Sequence, residues 1–295
     1  MGTTDVGTSA LDDALDRMSG LDFELANGFV NHGPMACEAL ATLGHGDRIG
    51  GWADWFVANV GPGPAAVEPA GWAEGRWQEA LGDYRRLPEW LGFFGGAVVD
   101  DGWREVIGRW VPRLVPALST ALFHGAIRTA HAVRAVDGFD SPARRGELAR
   151  SLAYWAARYR PGPEPVDTPA VDDVRRAVTE AAARGARRYV ARPTIVYLHG
   201  VTGAMAVELL VDHLSPEDGS AALAQLEVDH ARLYAGGPAS GSPTARPGSD
   251  HELVLLAATG RDAHQVKLVE ACRRGLAITG DLVFLGAASR ATHPA

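Results

Sequence analysis

Apolar residues recur at the spacing of an amphipathic helix along most of the chain. Met35, Ala39, Leu40 and Leu43, for example, share one face of a predicted helix, because residues three and four apart are neighbours on a helix surface. No long stretch alternates apolar and polar residues as a half-buried strand does, and the short run 194–198 fits a strand or a helix equally well. We therefore expect an all-α fold, a multi-helix bundle.

The same pattern extends through the chain without an internal repeat or a change in composition that calls for a second domain. A chain of 295 residues is long enough for one large domain. We predict a single helical domain over residues 1–295, with peripheral segments at about 1–20 and 286–295. The segment 236–249 is rich in Gly, Pro and Ser and is predicted to be a flexible loop.

The charge balance and the cysteine content exclude several classes of function. The 36 acidic and 28 basic residues give a net charge of −8, which opposes binding to nucleic acid or to anionic lipid. Two cysteines are too few for a disulfide framework or a four-cysteine zinc site. No basic leader precedes an apolar core, and no run approaches the roughly 20 apolar residues of a membrane span. We expect a cytoplasmic protein, either a monomer or a homodimer.

Four of the ten histidines lie among residues expected to be buried, each beside a glycine or an alanine: His32, His124, His199 and His264. They fall on four different predicted helices, and helical bundles build metal sites from inward-facing side chains of neighbouring helices. The alternative is that each is a separate core histidine with its own hydrogen-bond partner.

One lysine stands among 28 basic residues, and it follows His264 by three positions. Lys267 therefore shares a helix face with that histidine. Unlike arginine, lysine loses its proton readily when it is buried and can then act as an amine. We predict a functional role for Lys267, against the alternative that one lysine is present by chance.

Several standard catalytic motifs are missing from the sequence. It has no HExxH or CxxC motif, and Glu227 with His230 is its only Glu-x-x-His pair, whereas a di-iron carboxylate bundle needs two. The segment 44–50 is one residue off the GxGxxG dinucleotide fingerprint and follows a predicted helix instead of a strand. Asp–His pairs such as Asp229–His230 would suit a metal-dependent phosphohydrolase, but helical enzymes of that kind place His before Asp. The sequence thus encodes no standard zincin or di-iron site and no NADPH-binding motif.

Four segments, in this order, resemble the questin oxidase-like family: NHGPMACEAL from Asn31, HGAIRTAHAVR from His124, YLHGVTG from Tyr197 and DAHQVKLVEAC from Asp262. The resemblance runs from about residue 20 to about residue 285. Members include fungal enzymes that open a ring of anthraquinone polyketides, and characterised relatives are helical and hold a mononuclear iron through four histidines and a carboxylated lysine. The resemblance implies that Fe(II) is held by His32, His124, His199, His264 and a CO2-derived carbamate on Lys267.

The activity implied by this resemblance is that of a non-haem iron oxygenase. It would use O2 to cleave a ring carbon–carbon bond of an anthraquinone- or anthrone-type aromatic polyketide. A carbamate would add the anionic oxygen donor that four neutral imidazoles lack, and five ligands on an octahedral ion leave one position open. Two alternatives remain: an NADPH-dependent Baeyer–Villiger-type oxidase of the same substrates, and a non-catalytic helical protein that binds a small molecule.

Further candidate residues lie close to these motifs. Arg128 and His131 follow His124 on the same helical stripe and are candidate catalytic residues, with His131 as a proton shuttle or, alternatively, a partly exposed helix histidine. Aromatic-rich segments are suited to a flat apolar pocket, or else belong to the core. The candidate substrate contacts are Trp52, Tyr84, Phe94 and Arg85, of which Arg85 would meet a phenolate or carboxylate or else be solvated.

Overall fold

The structure, a computed structural model, describes residues 3–69, 72, 76–167, 173–237 and 249–293. Within these residues the chain forms thirteen α-helices and no β-strand, which confirms the predicted all-α fold. The helices are α1 (Thr3–Met18), α2 (Gly33–Thr42), α3 (Ile49–Asn59), α4 (Leu87–Asp100), α5 (Trp103–Leu114), α6 (His124–Gly138), α7 (Pro142–Ala157), α8 (Val174–Ala191), α9 (Ile195–Leu210), α10 (Pro216–Leu233), α11 (Asp250–Thr259), α12 (Ala263–Thr279) and α13 (Val283–Thr292).

Local capping signals decide where several of these helices begin. Ser141, Thr194 and Asp262 are the N-caps of α7, α9 and α12, and each side chain accepts a hydrogen bond from a backbone N–H of the first turn. The run 194–198, which fits a strand or a helix by its spacing, is the start of α9 because Thr194 caps it. Capping therefore settles what hydrophobic periodicity leaves open.

Four helices form a ring around the centre of the molecule: α2, α6, α9 and α12, each packed against the next. Each carries one of the four predicted histidines at its N-terminal end. Toward their C-terminal ends, α2 and α6 are joined by the Glu38–His131 pair, and α12 and α9 by the Arg274–Glu208 pair. The four helices therefore run in the same direction away from the histidines.

The terminal helices differ from the expectation that both ends are peripheral. Leu11, Leu15 and Met18 of α1 are buried in the core, and so are Ala287 and Ala288 of α13. Of the predicted flexible loop at 236–249, residues 238–248 lie outside the described residues.

Among the residues that the structure describes, one segment, Ile195–His213, is long and apolar enough to cross a membrane by length and composition. It comprises α9 and the short 3-10 turn that follows it. Most of this segment is buried against other helices, as is typical of a core helix in a globular protein.

Candidate metal centre

The four predicted histidines come together at the N-terminal end of the helix ring. Their facing ring nitrogens all lie within 4.8 Å of one another. The Nε2 atom of His124 is 2.9 Å from Nε2 of His32 and 3.2 Å from Nε2 of His199. Adjacent ligand nitrogens at about 2.1 Å from a single ion would be about 3.0–3.4 Å apart, depending on the geometry. The two pairs that include His124 are thus spaced as adjacent ligands of one ion, and the group of four could hold a metal ion.

Hydrogen bonds on the far side of two rings fix their tautomers. His124 donates from Nδ1 to the carbonyl of Ala121, and His199 donates from Nδ1 to the carbonyl of Ile195 at 2.8 Å. In the neutral ring this leaves each Nε2 atom as an unprotonated acceptor. Two acceptor nitrogens 3.2 Å apart have no hydrogen to share, so their lone pairs repel unless a cation lies between them.

Burial favours the neutral form of three of the four rings. His32, His124 and His199 are buried, whereas His264 keeps a quarter of its side-chain surface exposed. Burial lowers the pKa of His32 and His199 well below the usual value, and that of His124 to about 3, and the nearby positive charge of Lys267 lowers all three further. Neutral imidazole is the form that binds a metal ion.

Lys267 lies on α12, one turn beyond His264, and is 1% exposed. Its Nζ atom has no hydrogen-bond partner among the described residues. Burial lowers the pKa of the amine to about 7, so a large fraction is neutral at physiological pH. A buried polar atom without a partner calls for an explanation, and a ligand at the histidine group would provide one.

The backbone before α6 is strained. Ala121, Leu122 and Phe123 are consecutive left-handed residues, with φ of 48°, 52° and 64°. This conformation costs a non-glycine residue roughly 1–2 kcal/mol. The turn brings the Ala121 carbonyl to His124 Nδ1, and it packs the Phe123 ring on Gly203 of α9, where an added Cβ would be 2.5 Å from the ring. The strained turn therefore directly precedes His124 and orients its ring.

The helix ends give the centre a positive potential before any ion binds. The N-terminus of an α-helix carries about half a positive charge, and the N-terminal ends of four helices meet here. A cation held by four neutral imidazoles adds to this potential. An anionic ligand at the same centre is therefore electrostatically favoured.

A cavity of about 500 Å³ reaches His124. Its walls come from the loop before α2, the left-handed turn before α6 and the C-terminal end of α7, and the lining residues are Glu24, Gly28, Phe29, Val30, Thr120, Ala121, Leu122, His124, Tyr154, Arg158 and Arg160. We call it the His124 cavity. It gives a ligand access to a histidine of the centre.

The four predicted substrate contacts are distributed over the molecule. Trp52 lines a separate cavity of about 170 Å³ together with Trp55 and residues 258–261. Tyr84 lies 3.8 Å beneath the Arg158 guanidinium, beside the His124 cavity. The side chain of Arg85 is 89% exposed and pairs with Asp83 at 2.9 Å. Arg85 is therefore a solvated arginine, the alternative to a substrate contact.

Phe94 is a residue of the hydrophobic core, which was the alternative to a substrate contact. It is fully buried and packs against Trp90 and Trp110, with ring centroids 5.5 and 4.9 Å away. These rings belong to the interface of α4 and α5, so Phe94 stabilises the packing of that pair.

Arg128 and His131, expected to face the site, instead face buried carboxylates. Arg128 makes a bidentate pair with Glu147, at 2.6 and 2.9 Å, and His131 donates from Nδ1 to Glu38 at 2.5 Å. The reason is the helical rise of 1.5 Å per residue, which carries the two residues about 6 and 10 Å along α6 from His124. The cavity beside them has about 10 Å³, room for one water molecule at most.

Charged residues that were not predicted from the sequence surround His131. Arg134 binds Glu38 of α2 and Glu270 of α12, and Arg274 binds Glu270 and Glu208 of α9, so one ionic network joins all four helices of the ring. A signal was present, because Glu38 is the only charged residue in the otherwise apolar segment 33–43. A lone charge on an apolar helix is rarely buried without a partner.

Compared with known proteins, the chain matches no protein-family model, and no curated protein matches it. The resemblance to the questin oxidase-like family therefore stays a prediction. The geometry establishes a buried group of four histidines that could hold a metal ion.

Proposed function

We propose that this chain is a non-haem iron oxygenase that cleaves a ring carbon–carbon bond of an anthraquinone- or anthrone-type aromatic polyketide with O2. The observation that carries the metal centre is the pair of unprotonated Nε2 atoms of His124 and His199, 3.2 Å apart inside a group of four histidines. The choice of iron, O2 and an aromatic polyketide rests on the resemblance of the four motif segments.

In this proposal Lys267 completes the donor set. Its neutral amine attacks CO2 and releases a proton, which leaves a carbamate with an anionic oxygen. Hard oxygen donors combined with imidazoles suit a non-haem iron centre, and the four helix ends favour an anion there. Bound Fe(II) would supply the one-electron chemistry that lets O2 react with a closed-shell aromatic substrate.

In this proposal, residues farther along the ring helices position the centre. The ionic network of Glu38, His131 and Arg134 holds α2 against α6 about 9–10 Å from the histidines. Arg128 and His131 act in this proposal as positioning residues, since both are engaged with carboxylates. The acidic charge of the chain agrees with a cytoplasmic enzyme that binds small molecules, as a monomer or homodimer.

The test is the metal content of protein purified without oxygen, measured as moles of iron, zinc and manganese per chain. We expect near-stoichiometric iron, an O2- and substrate-dependent loss of anthraquinone absorbance without NADPH, and loss of both iron and turnover in Lys267→Ala. His251→Ala, an exposed site on α11, is the matched control and should keep its iron.

Each alternative predicts a different result. Turnover that requires NADPH would favour the Baeyer–Villiger-type oxidase. No bound metal, even after reconstitution with Fe(II), would favour the non-catalytic binding protein. Full iron content in Lys267→Ala would contradict the role of the carbamate.

A further inference from the structure

The His124 cavity has the size of a small-molecule site. Ligand pockets usually enclose about 300–1,000 Å³, and this cavity has about 500 Å³. The cavity at Trp52 is smaller, about 170 Å³. Of the two, the His124 cavity alone is lined by a histidine of the candidate centre.

Two arginines line this cavity, and both are held in place. Arg158 donates from Nε to Glu24 at 2.8 Å and from Nη2 to the same carboxylate, which also accepts a hydrogen bond from Tyr154 at 3.0 Å. Arg160 donates from Nη1 to the carbonyl of Gly82 at 2.6 Å. Guanidinium groups fixed in this way lose little conformational entropy when they bind a ligand.

The charges in the cavity do not cancel. Arg158 and Arg160 contribute two positive charges against the single carboxylate of Glu24. The N-terminal ends of the ring helices add positive potential at His124. The cavity therefore favours a ligand with a negatively charged oxygen.

The remaining wall suits an apolar, flat group. Phe29 is 60% exposed although it is a large apolar residue, and it precedes His32 by three positions. Val30 and Leu122 line the cavity beside it. An exposed aromatic ring next to a cavity gains most when a ligand ring covers it.

We propose that the His124 cavity is the substrate pocket of the metal centre and that Arg158 and Arg160 select a planar aromatic ligand with an ionised oxygen, a phenolate or a carboxylate. This inference rests on the proposed function for its view of the centre as catalytic. The recognition itself depends only on the cavity, so it can be measured without iron or turnover.

The experiment measures the binding of anthraquinone-2-carboxylate and of neutral anthraquinone-2-carboxamide to zinc-loaded protein by calorimetry. We expect the wild type to bind the carboxylate at least about tenfold more tightly than the amide, since a hydrogen-bonded charge is worth more than a neutral partner. Arg160→Gln and Arg158→Gln should each remove most of this preference. Arg145→Gln, at the other end of α7 and paired with Asp140, is the matched control and should keep it.

A second pair of variants tests the apolar wall. Phe29→Ala should weaken the binding of both compounds severalfold, whereas Phe139→Ala, at a comparably exposed position at the far end of α6, should change neither. Because Arg158 pairs with Glu24, Arg158→Gln can destabilise the fold, and a lowered melting temperature would reveal this. In that case the binding preference of Arg160→Gln tests the role of the arginines.

Three results would overturn the inference: equal affinity of the wild type for carboxylate and amide, an unchanged preference in Arg160→Gln, or loss of binding in Trp52→Ala with none in Phe29→Ala. None of these depends on iron. The two proposals can also be separated. If zinc-loaded protein shows the expected preference but the purified protein contains no iron, the result supports the substrate pocket and contradicts the iron oxygenase.

Discussion

Lys267 is the residue at which stability and metal binding oppose each other. A buried amine whose pKa has fallen from 10.5 to about 7 destabilises the folded metal-free protein, because the unfolded chain keeps the proton. Lys267→Met removes this cost and fills the same space. We expect the free energy of unfolding of metal-free protein at pH 7 to rise by about 1–4 kcal/mol in urea titrations, while the metal content per chain falls.

The matched variant Lys267→Arg separates the charge from the size of the side chain. Arginine keeps its proton and does not form a carbamate, so both the metal content and the unfolding free energy should fall. A Lys267→Met protein that binds a full equivalent of metal would contradict the assignment of Lys267 as a ligand.

At the scale of elements, the left-handed turn before α6 stores strain. Glycine adopts φ > 0 without steric cost, so Ala121→Gly should raise the free energy of unfolding by about 0.5–1 kcal/mol. Ala221→Gly, at an exposed position inside α10, is the control and should lower it by about 1 kcal/mol. Urea denaturation of both variants measures the difference, and a loss of stability in Ala121→Gly would mean that the turn is not strained.

The ionic network that joins the ring helices gives a second prediction at this scale. Glu38→Gln removes the charge that Arg134 and His131 contact, which leaves buried donors poorly satisfied. We expect a loss of about 2–4 kcal/mol in unfolding free energy, with the metal content unchanged because Glu38 lies about 9 Å along α2 from His32. Glu180→Gln, in an exposed pair with Arg176, should change stability by less than about 1 kcal/mol. A loss in Glu38→Gln no larger than in this control would show that the network contributes little.

The elements also show how far the sequence predicts the structure. The all-α fold class could be predicted, because the spacing of apolar residues that indicates a helix can be seen in the sequence without knowledge of the packing. The turn at 121–123 could not be predicted, since Ala-Leu-Phe contains no glycine or asparagine to indicate φ > 0. The four histidines could be selected by their apolar neighbours, but the partners of Arg128 and His131 depend on how α6 packs against α2 and α7, which spacing alone does not determine.

At the scale of the whole molecule, several buried groups make the stability of metal-free protein depend on pH. Burial lowers the pKa of His131 and of the buried centre histidines, and lowers that of His230 to about 3. Below pH 6.5 these histidines therefore bind more protons in the unfolded chain than in the folded protein. The free energy of unfolding then falls, as pH is lowered, by up to about 1.4 kcal/mol per pH unit for each such histidine. Above pH 7, Lys267 makes stability rise with pH.

This rise should end near pH 9. Burial raises the pKa of Cys37 to about 12 and also raises that of Cys272, so above pH 9 both thiols ionise only in the unfolded chain, which favours unfolding. We predict a maximum of the urea midpoint between pH 8 and 9, and in Lys267→Met a midpoint that does not rise above pH 7. A midpoint that stays constant from pH 5 to 7 would contradict the assignment of neutral, buried histidines.

Metal binding should couple the stability of the whole chain to the centre, because its four histidines come from positions 32 to 264 and are close together only when the ring of helices is formed. An ion that binds the folded form alone stabilises it by about 4 kcal/mol at a thousandfold excess over its dissociation constant. For a chain of this size we expect zinc at pH 8 to raise the melting temperature of chelator-treated protein by about 10 °C. His124→Ala should lose this shift, and His213→Ala, half-buried beside Trp103 and outside the group, should keep it. Equal shifts in the two variants would mean that zinc binds elsewhere, and the convergence of the histidines would then be a matter of packing alone.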